Sequence, residues 1–234
     1  MYTKITTLCL IVLPLWAFGQ KMGFDDIDGT KLQPWITKDK TNYQFAYHFG
    51  DSELESNLVI LVGPSKCYAQ ISGGDWSADG KEWIKKVETL SNVRIEGNKF
   101  FSDKTNGEFV LYKNGTETTQ CLKVYKPWSG VTEKGQYEVG FVAGKIELFF
   151  DGKYPQASMR VLTPEELDKL SKAELQLMRN EIYARYGFVF KKGGAMYLHF
   201  SKQDWYKAQN ADVNKFLTEL ERENIAKIQQ QENK

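Results

Sequence analysis

Arg179, Asn180, Glu181, Tyr183, Arg185 and Tyr186 fall within one short stretch of this chain, and their types allow recognition chemistry. A guanidinium offers a planar fork of donors, and a tyrosine offers a ring and a hydroxyl; together they can hold a carboxylate or a sugar on a partner. Arg179 and Tyr183 are four apart, so on a helix they share a face, with Tyr186 near it. The competing use is internal. Arg179 or Arg185 can pair with Glu181, Glu221 or Glu223, and Arg185 can satisfy carbonyls at a helix end. A small helical unit needs polar ties as well as a core, which favours the internal use. Trp205 and Tyr206 read as an aromatic anchor of the same unit, with Trp205 plugging its core.

Other reactive residue types are scattered. Trp35, Trp76, Trp83 and Trp128 are amphipathic enough to line a carbohydrate or lipid groove, although core or rim positions explain such residues more economically. His48 and His199 are far apart and belong to no metal-spaced cluster. Asp25, Asp26 and Asp28 before Gly29 lack the later ligands of a calcium loop and fit a solvated segment. No serine sits in a nucleophile elbow and no glycine pattern suits a nucleotide. Asn114-Gly115-Thr116 fits a glycosylation sequon, but a hairpin turn explains it without modification. Cys67 and Cys121 can close one disulfide over a loop of about fifty residues, worth about 3–4 kcal/mol, or remain buried thiols in neighbouring strands. No cofactor is called for.

The elements that must position these residues divide the chain by texture. Tyr43, Phe45, Tyr47 and Phe49 alternate with Gln44, Ala46 and His48, the period of a strand with one buried face. Residues 58–62 form a continuous apolar run that suits a strand covered on both faces. Hairpins are expected where 93–95 and 99–101 flank Glu96-Gly97-Asn98, where 108–112 and 121–125 flank Asn114-Gly115, and where 137–142 and 145–150 flank Ala143-Gly144. Trp83, Val87 and Leu90 also fit one face of a helix, so that segment stays ambiguous. Near residue 160 helical signals take over. Thr163-Pro164-Glu165-Glu166, Ser171 to Glu174 and Thr218 to Glu221 are three capping boxes. Leu175, Met178 and Ile182 stand at helical spacing before the stop at Gly187. Residues 195–200 make a short helix; Leu220, Ile225 and Ile228 face inward on a last one, and the polar tail after Gln229 is expected to fray.

Residues 1–19 have the form of a signal peptide: Lys4, an apolar run over 5–18, then Ala17-Phe18-Gly19 before Gln20 or Lys21. The run is too short to span a membrane comfortably, and no later stretch of the mature chain is long enough. Losing Lys4 leaves 30 of the 31 basic residues against 30 acidic ones, which gives no electrostatic case for nucleic acid. At 41% hydrophobic and 14% aromatic, the remaining length can bury one large or two small cores. The expected fold class is α+β: a β-rich domain over 20–160, as an antiparallel sandwich or barrel, then a helical domain over 161–234.

The helical segment resembles the YARHG domain, a small bacterial extracytoplasmic module. The likeness rests on Tyr183-Ala184-Arg185-Tyr186-Gly187, on Leu175 to Ile182 before it, on Phe188-Val189-Phe190 after it, and on Trp205-Tyr206 and Glu223-Asn224-Ile225. It covers about residues 162–228. Tyrosine stands at 186 where the family name has histidine, so no imidazole role carries over. The resemblance implies an exported, non-catalytic accessory module, periplasmic or extracellular, often joined to other domains. The expected function is therefore binding to an envelope protein or glycan. The alternative is an envelope hydrolase acting on glycans or peptides through paired carboxylates in the β domain.

Overall fold

The computed structural model describes residues 21–22 and 25–234; the leader expected over 1–19 lies outside the described residues. An antiparallel sheet curls through the N-terminal part, and helices make up the C-terminal part. The strands are β1 (Lys21–Met22), β2 (Asp25–Asp26), β3 (Leu32–Pro34), β4 (Ala46–Phe49), β5 (Ser56–Val62), β6 (Cys67–Trp76), β7 (Trp83–Leu90), β8 (Arg94–Glu96), β9 (Lys99–Phe101), β10 (Asn106–Asn114), β11 (Glu117–Val124) and β12 (Glu138–Gly144). Nine of them run in the order β7-β6-β5-β4-β12-β11-β10-β9-β8, with β3 added beside β10 and β1 beside β12. Gly97 and Gly115, at φ 59° and 63°, turn the β8–β9 and β10–β11 hairpins, a conformation that side chains resist.

Curling gives the sheet an inner face packed with rings. Tyr43 stacks on Phe109 at 4.0 Å, and Trp35 meets both edge-on, while Leu58, Ile60, Phe100 and Leu122 fill the space around them. The apolar run in β5 is covered on both faces: Leu58 and Ile60 enter this core, and Val59 and Leu61 pack outward with Leu220.

One local expectation is corrected and two open alternatives are decided. Residues 146–149 form a 3-10 helix (Ile146–Phe149), not the second strand of a hairpin. β12 already pairs with β11 on one side and β4 on the other, so no edge is free for it, and Ile146 and Phe150 instead join Val59 and Leu61. Trp83, Val87 and Leu90 lie on strand β7, resolving the ambiguity against a helix. Cys67 and Cys121 are both free. β6 and β11 are separated by three strands at a spacing of about 4.8 Å. Cys67 packs on the inner core, whereas Cys121 packs on the opposite face with Val110 and Val139, so the two sulfurs cannot meet.

The helices are α1 (Gln156–Met159), α2 (Pro164–Leu167), α3 (Lys172–Arg185), α4 (Ala195–Phe200) and α5 (Glu219–Glu232). All three capping boxes form, at the starts of α2, α3 and α5. Leu175, Met178 and Ile182 of α3 pack with Ile225 and Ile228 of α5, and Tyr154 and Ala157 join this core from the segment leaving the sheet. Gly187 ends α3 at φ 70°, and a Cβ there would lie 2.7 Å from the Lys207 carbonyl oxygen. The tail expected to fray is helical through Glu232. Among the described residues no helix is long and apolar enough to cross a membrane.

Candidate functional site

The motif helix α3 carries its polar residues at spacings that send them in different directions, and each finds a partner inside the chain. Arg185 and Glu181 form an ion pair at 2.6 Å with side chains only 5% and 2% exposed. Their spacing of four places them on one face of α3, turned toward the segment that enters the helical region. Glu181 accepts hydrogen bonds from the Lys153 and Tyr154 amides at 2.8 and 2.6 Å. Arg185 donates through Nε to the Asp151 carbonyl (2.7 Å) and through Nη1 to Ser158 Oγ (2.8 Å). Together they tie α3 to residues 151–158. Gly152, at φ 109°, lies so close that a Cβ would sit 2.2 Å from Glu181 Cδ.

Arg179 makes a bidentate pair with Glu232 (2.8 and 3.0 Å) rather than with Glu181, Glu221 or Glu223. This fork holds the last turn of α5 against α3, which is why the tail stays helical. Asn180 donates to the Gln176 carbonyl at 2.7 Å. Tyr183 is half-buried beside Phe188, at 6.1 Å between rings. Trp205 is half-buried against Phe200, and Tyr206 OH donates to the Phe188 carbonyl at 2.6 Å. The Arg179–Tyr183 face is therefore not an open patch.

Tyr186 reaches the other way, toward the sheet. Its hydroxyl donates to Glu221 Oε2 at 2.7 Å and accepts from Gln70 Nε2 of β6 at 2.8 Å. Gln70 and Thr89 of β7 both donate to the Phe216 carbonyl (2.7 and 2.5 Å), and Lys66 pairs with Glu219 at 2.6 Å. Leu220 is buried against Val59 and Leu61. These contacts make a seam between the outer face of β5–β7 and the helices. Sequence reasoning missed Gln70, Glu232 and the role of Asn224. The Asn224 amide is fully buried, accepts from the Leu162 amide and donates to the Ala157 and Arg160 carbonyls at 2.8–2.9 Å. One signal was available: Asn224 interrupts the apolar spacing of Leu220 and Ile228, and a polar residue there must be satisfied.

Glu221 is the seam's titratable group. Burial raises its carboxyl above the ordinary value of 4.5, against the opposing pull of hydrogen bonds from Ser158, Thr218 and Tyr186 and the charge of Arg185. The folded state therefore prefers the protonated form, so Glu221 stabilises the fold below pH 4.5 and that contribution is lost as pH rises through the folded value. In Glu221→Gln, stability relative to the parent is expected to rise over that window. Urea unfolding from about pH 4 to 7 measures it, and a pH-independent difference would refute the assignment.

Two clefts open along the seam. The first, of about 660 Å³, lies among the β5–β6 turn, the β7–β8 connection and residues 215–222. The second, of about 680 Å³, lies at the β6–β7 hairpin and is lined by Leu54, Gly74, Lys85, Trp128 and Phe216 among others. Of the four tryptophans, Trp128 lines this cleft and donates to Ser56 Oγ at 2.9 Å. Trp35 is buried in the inner core, and Trp76 and Trp83 pair edge-to-face at the hairpin's end, so the four do not form one groove. Burial pushes the Cys121 thiol up to about 12 and raises Cys67 as well, the opposite of an activated nucleophile. Among the described residues no group of three or more His, Cys, Asp or Glu gathers as a metal site.

Comparison with known families agrees with the motif reading. Residues 153–233 match the YARHG domain, and the N-terminal part matches no family. The YARHG domain is typical of exported proteins. No curated protein and no solved structure matches the chain.

Proposed function

We propose, from a C-terminal part that carries a YARHG domain, that the chain is an exported, non-catalytic binding protein of the bacterial cell envelope with two domains. In this reading the β domain presents the ligand surface and the helical domain, docked on it, completes that surface. The observation that carries it is the pair of open clefts along the seam, of about 660 and 680 Å³, a size that suits small-molecule recognition. The motif residues tie the helical domain together and, through Tyr186, tie it to the sheet, rather than face a ligand. A carboxylate hydrolase has less support. Its general acid would need a raised pKa in a cleft, whereas Asp75 in the second cleft is held low by its hydrogen bond and ion pair with Lys86, and the carboxyls that burial raises, Glu138 and Glu221, line neither cleft.

The test is capture by the immobilised full chain of material from envelope fractions and of purified cell-wall glycans. Retention of a specific component supports the reading, and retention of none in either format refutes it. Arg179→Ala separates architecture from recognition. Loss of the bidentate pair with Glu232 is expected to lower unfolding free energy by about 1–3 kcal/mol while capture persists. Loss of capture at unchanged stability would return the motif to the binding surface.

A further inference from the structure

Cations outnumber carboxylates on the wall of the first seam cleft. Its wall carries Lys40, Lys66, Arg94, Lys215 and Arg222 against the carboxylate of Glu219, in a chain whose formal net charge is only +1. The cations come from separate parts of the fold. Lys40 begins the 3-10 helix Lys40–Tyr43, Lys66 sits in the β5–β6 turn, Arg94 opens β8, and Lys215 and Arg222 belong to the helical region. Docking of the helices on the sheet is what brings them together. Lys66 is paired with Glu219, Arg94 with Glu96 at 2.8 Å, and Arg222 donates to the Asn214 carbonyl at 2.6 Å. Lys40 and Lys215 have no carboxylate partner among the described residues.

Like charges gathered on a concave wall repel one another and focus a positive potential into the cleft, and a bound anion relieves both effects. A volume of about 660 Å³ is far larger than one oxyanion needs, and the cations are distributed around it rather than at a single point. We propose that this cleft binds an oligoanionic ligand of disaccharide size, carrying two or more phosphate, sulfate or carboxylate groups. The proposal rests on the binding reading above and names the chemistry of its ligand.

Isothermal titration of the full chain with tripolyphosphate, a sulfated uronic-acid disaccharide and maltose tests it. Both classes of anion are covered, and the tighter of the two charged probes identifies the source of the oxyanions. The expected result is binding of at least one charged probe, weakening as salt rises, with no binding of maltose. Lys40→Glu and Lys215→Glu, both exposed and on separate elements, are each expected to weaken it by about tenfold without moving the unfolding midpoint. Absence of binding by both charged probes, equal binding of maltose, or binding unchanged in the double variant would overturn the proposal. Envelope capture that persists beside such a failure would leave the binding reading standing and place its ligand outside this cleft.

Discussion

Replacing Arg185 by alanine is expected to lower the unfolding free energy by about 3–5 kcal/mol, because it leaves Glu181 as a buried charge without its counterion. The cost comes from the partner left behind. Glu181 would keep the Lys153 and Tyr154 amides but lose the guanidinium, and the Asp151 carbonyl and Ser158 hydroxyl would lose their donors. Guanidinium chloride unfolding followed by circular dichroism measures the change. Removing both charges, as in Arg185→Met with Glu181→Leu, is expected to recover only part of the loss, since it removes the unpaired buried charge but leaves the Lys153 and Tyr154 amides without their acceptor. A single-variant loss below about 1 kcal/mol would mean that water reaches the pair.

Phe109→Ala is expected to cost a similar amount, about 3–5 kcal/mol, by opening a cavity in the inner core of the sheet. Phe109 is fully buried, stacks on Tyr43 and meets Trp35 and Phe100 edge-on, so its neighbours cannot all close on the space. The pair of variants also reports on the seam. Leu220 buried on Val59 and Leu61, together with the hydrogen bonds of Gln70 and Thr89, links the two cores. Both substitutions are therefore expected to lower one shared transition, seen alike in helix ellipticity and aromatic signals. Two resolved transitions, each moved by one variant alone, would show that the halves unfold independently.

Much of the local architecture was legible in the residues. Capping boxes at Thr163, Ser171 and Thr218 mark the starts of three helices, because the cap and its partner lie three residues apart. Gly97, Gly115 and Gly187 mark turns and a helix end, because positive φ is a property of one residue. Local signals failed where pairing decided the outcome. Residues 145–150 look like the return of a hairpin, yet β12 has no edge left to accept them. Cys67 and Cys121 have a spacing that permits a bridge, and their strands, with three others between them in the sheet, and their opposite faces forbid it.

The candidate site divides in the same way. By itself the sequence determined the motif, its place at the end of a helix and its likeness to the YARHG domain. Arg185 takes Glu181, one turn away and already among the candidates its spacing offered, whereas only tertiary structure decided that, of the chain's 30 acidic residues, Arg179 takes Glu232, 53 positions on. Many carboxylates are chemically equivalent partners, and the choice among them depends on which helix packs where. The same holds for the cationic cleft. Lys40, Lys66, Arg94, Lys215 and Arg222 are unremarkable in a nearly neutral sequence and become a site only where the docked helices complete its wall. Caps and turns act over a few residues, whereas charge pairing and concavity depend on distances that packing alone establishes.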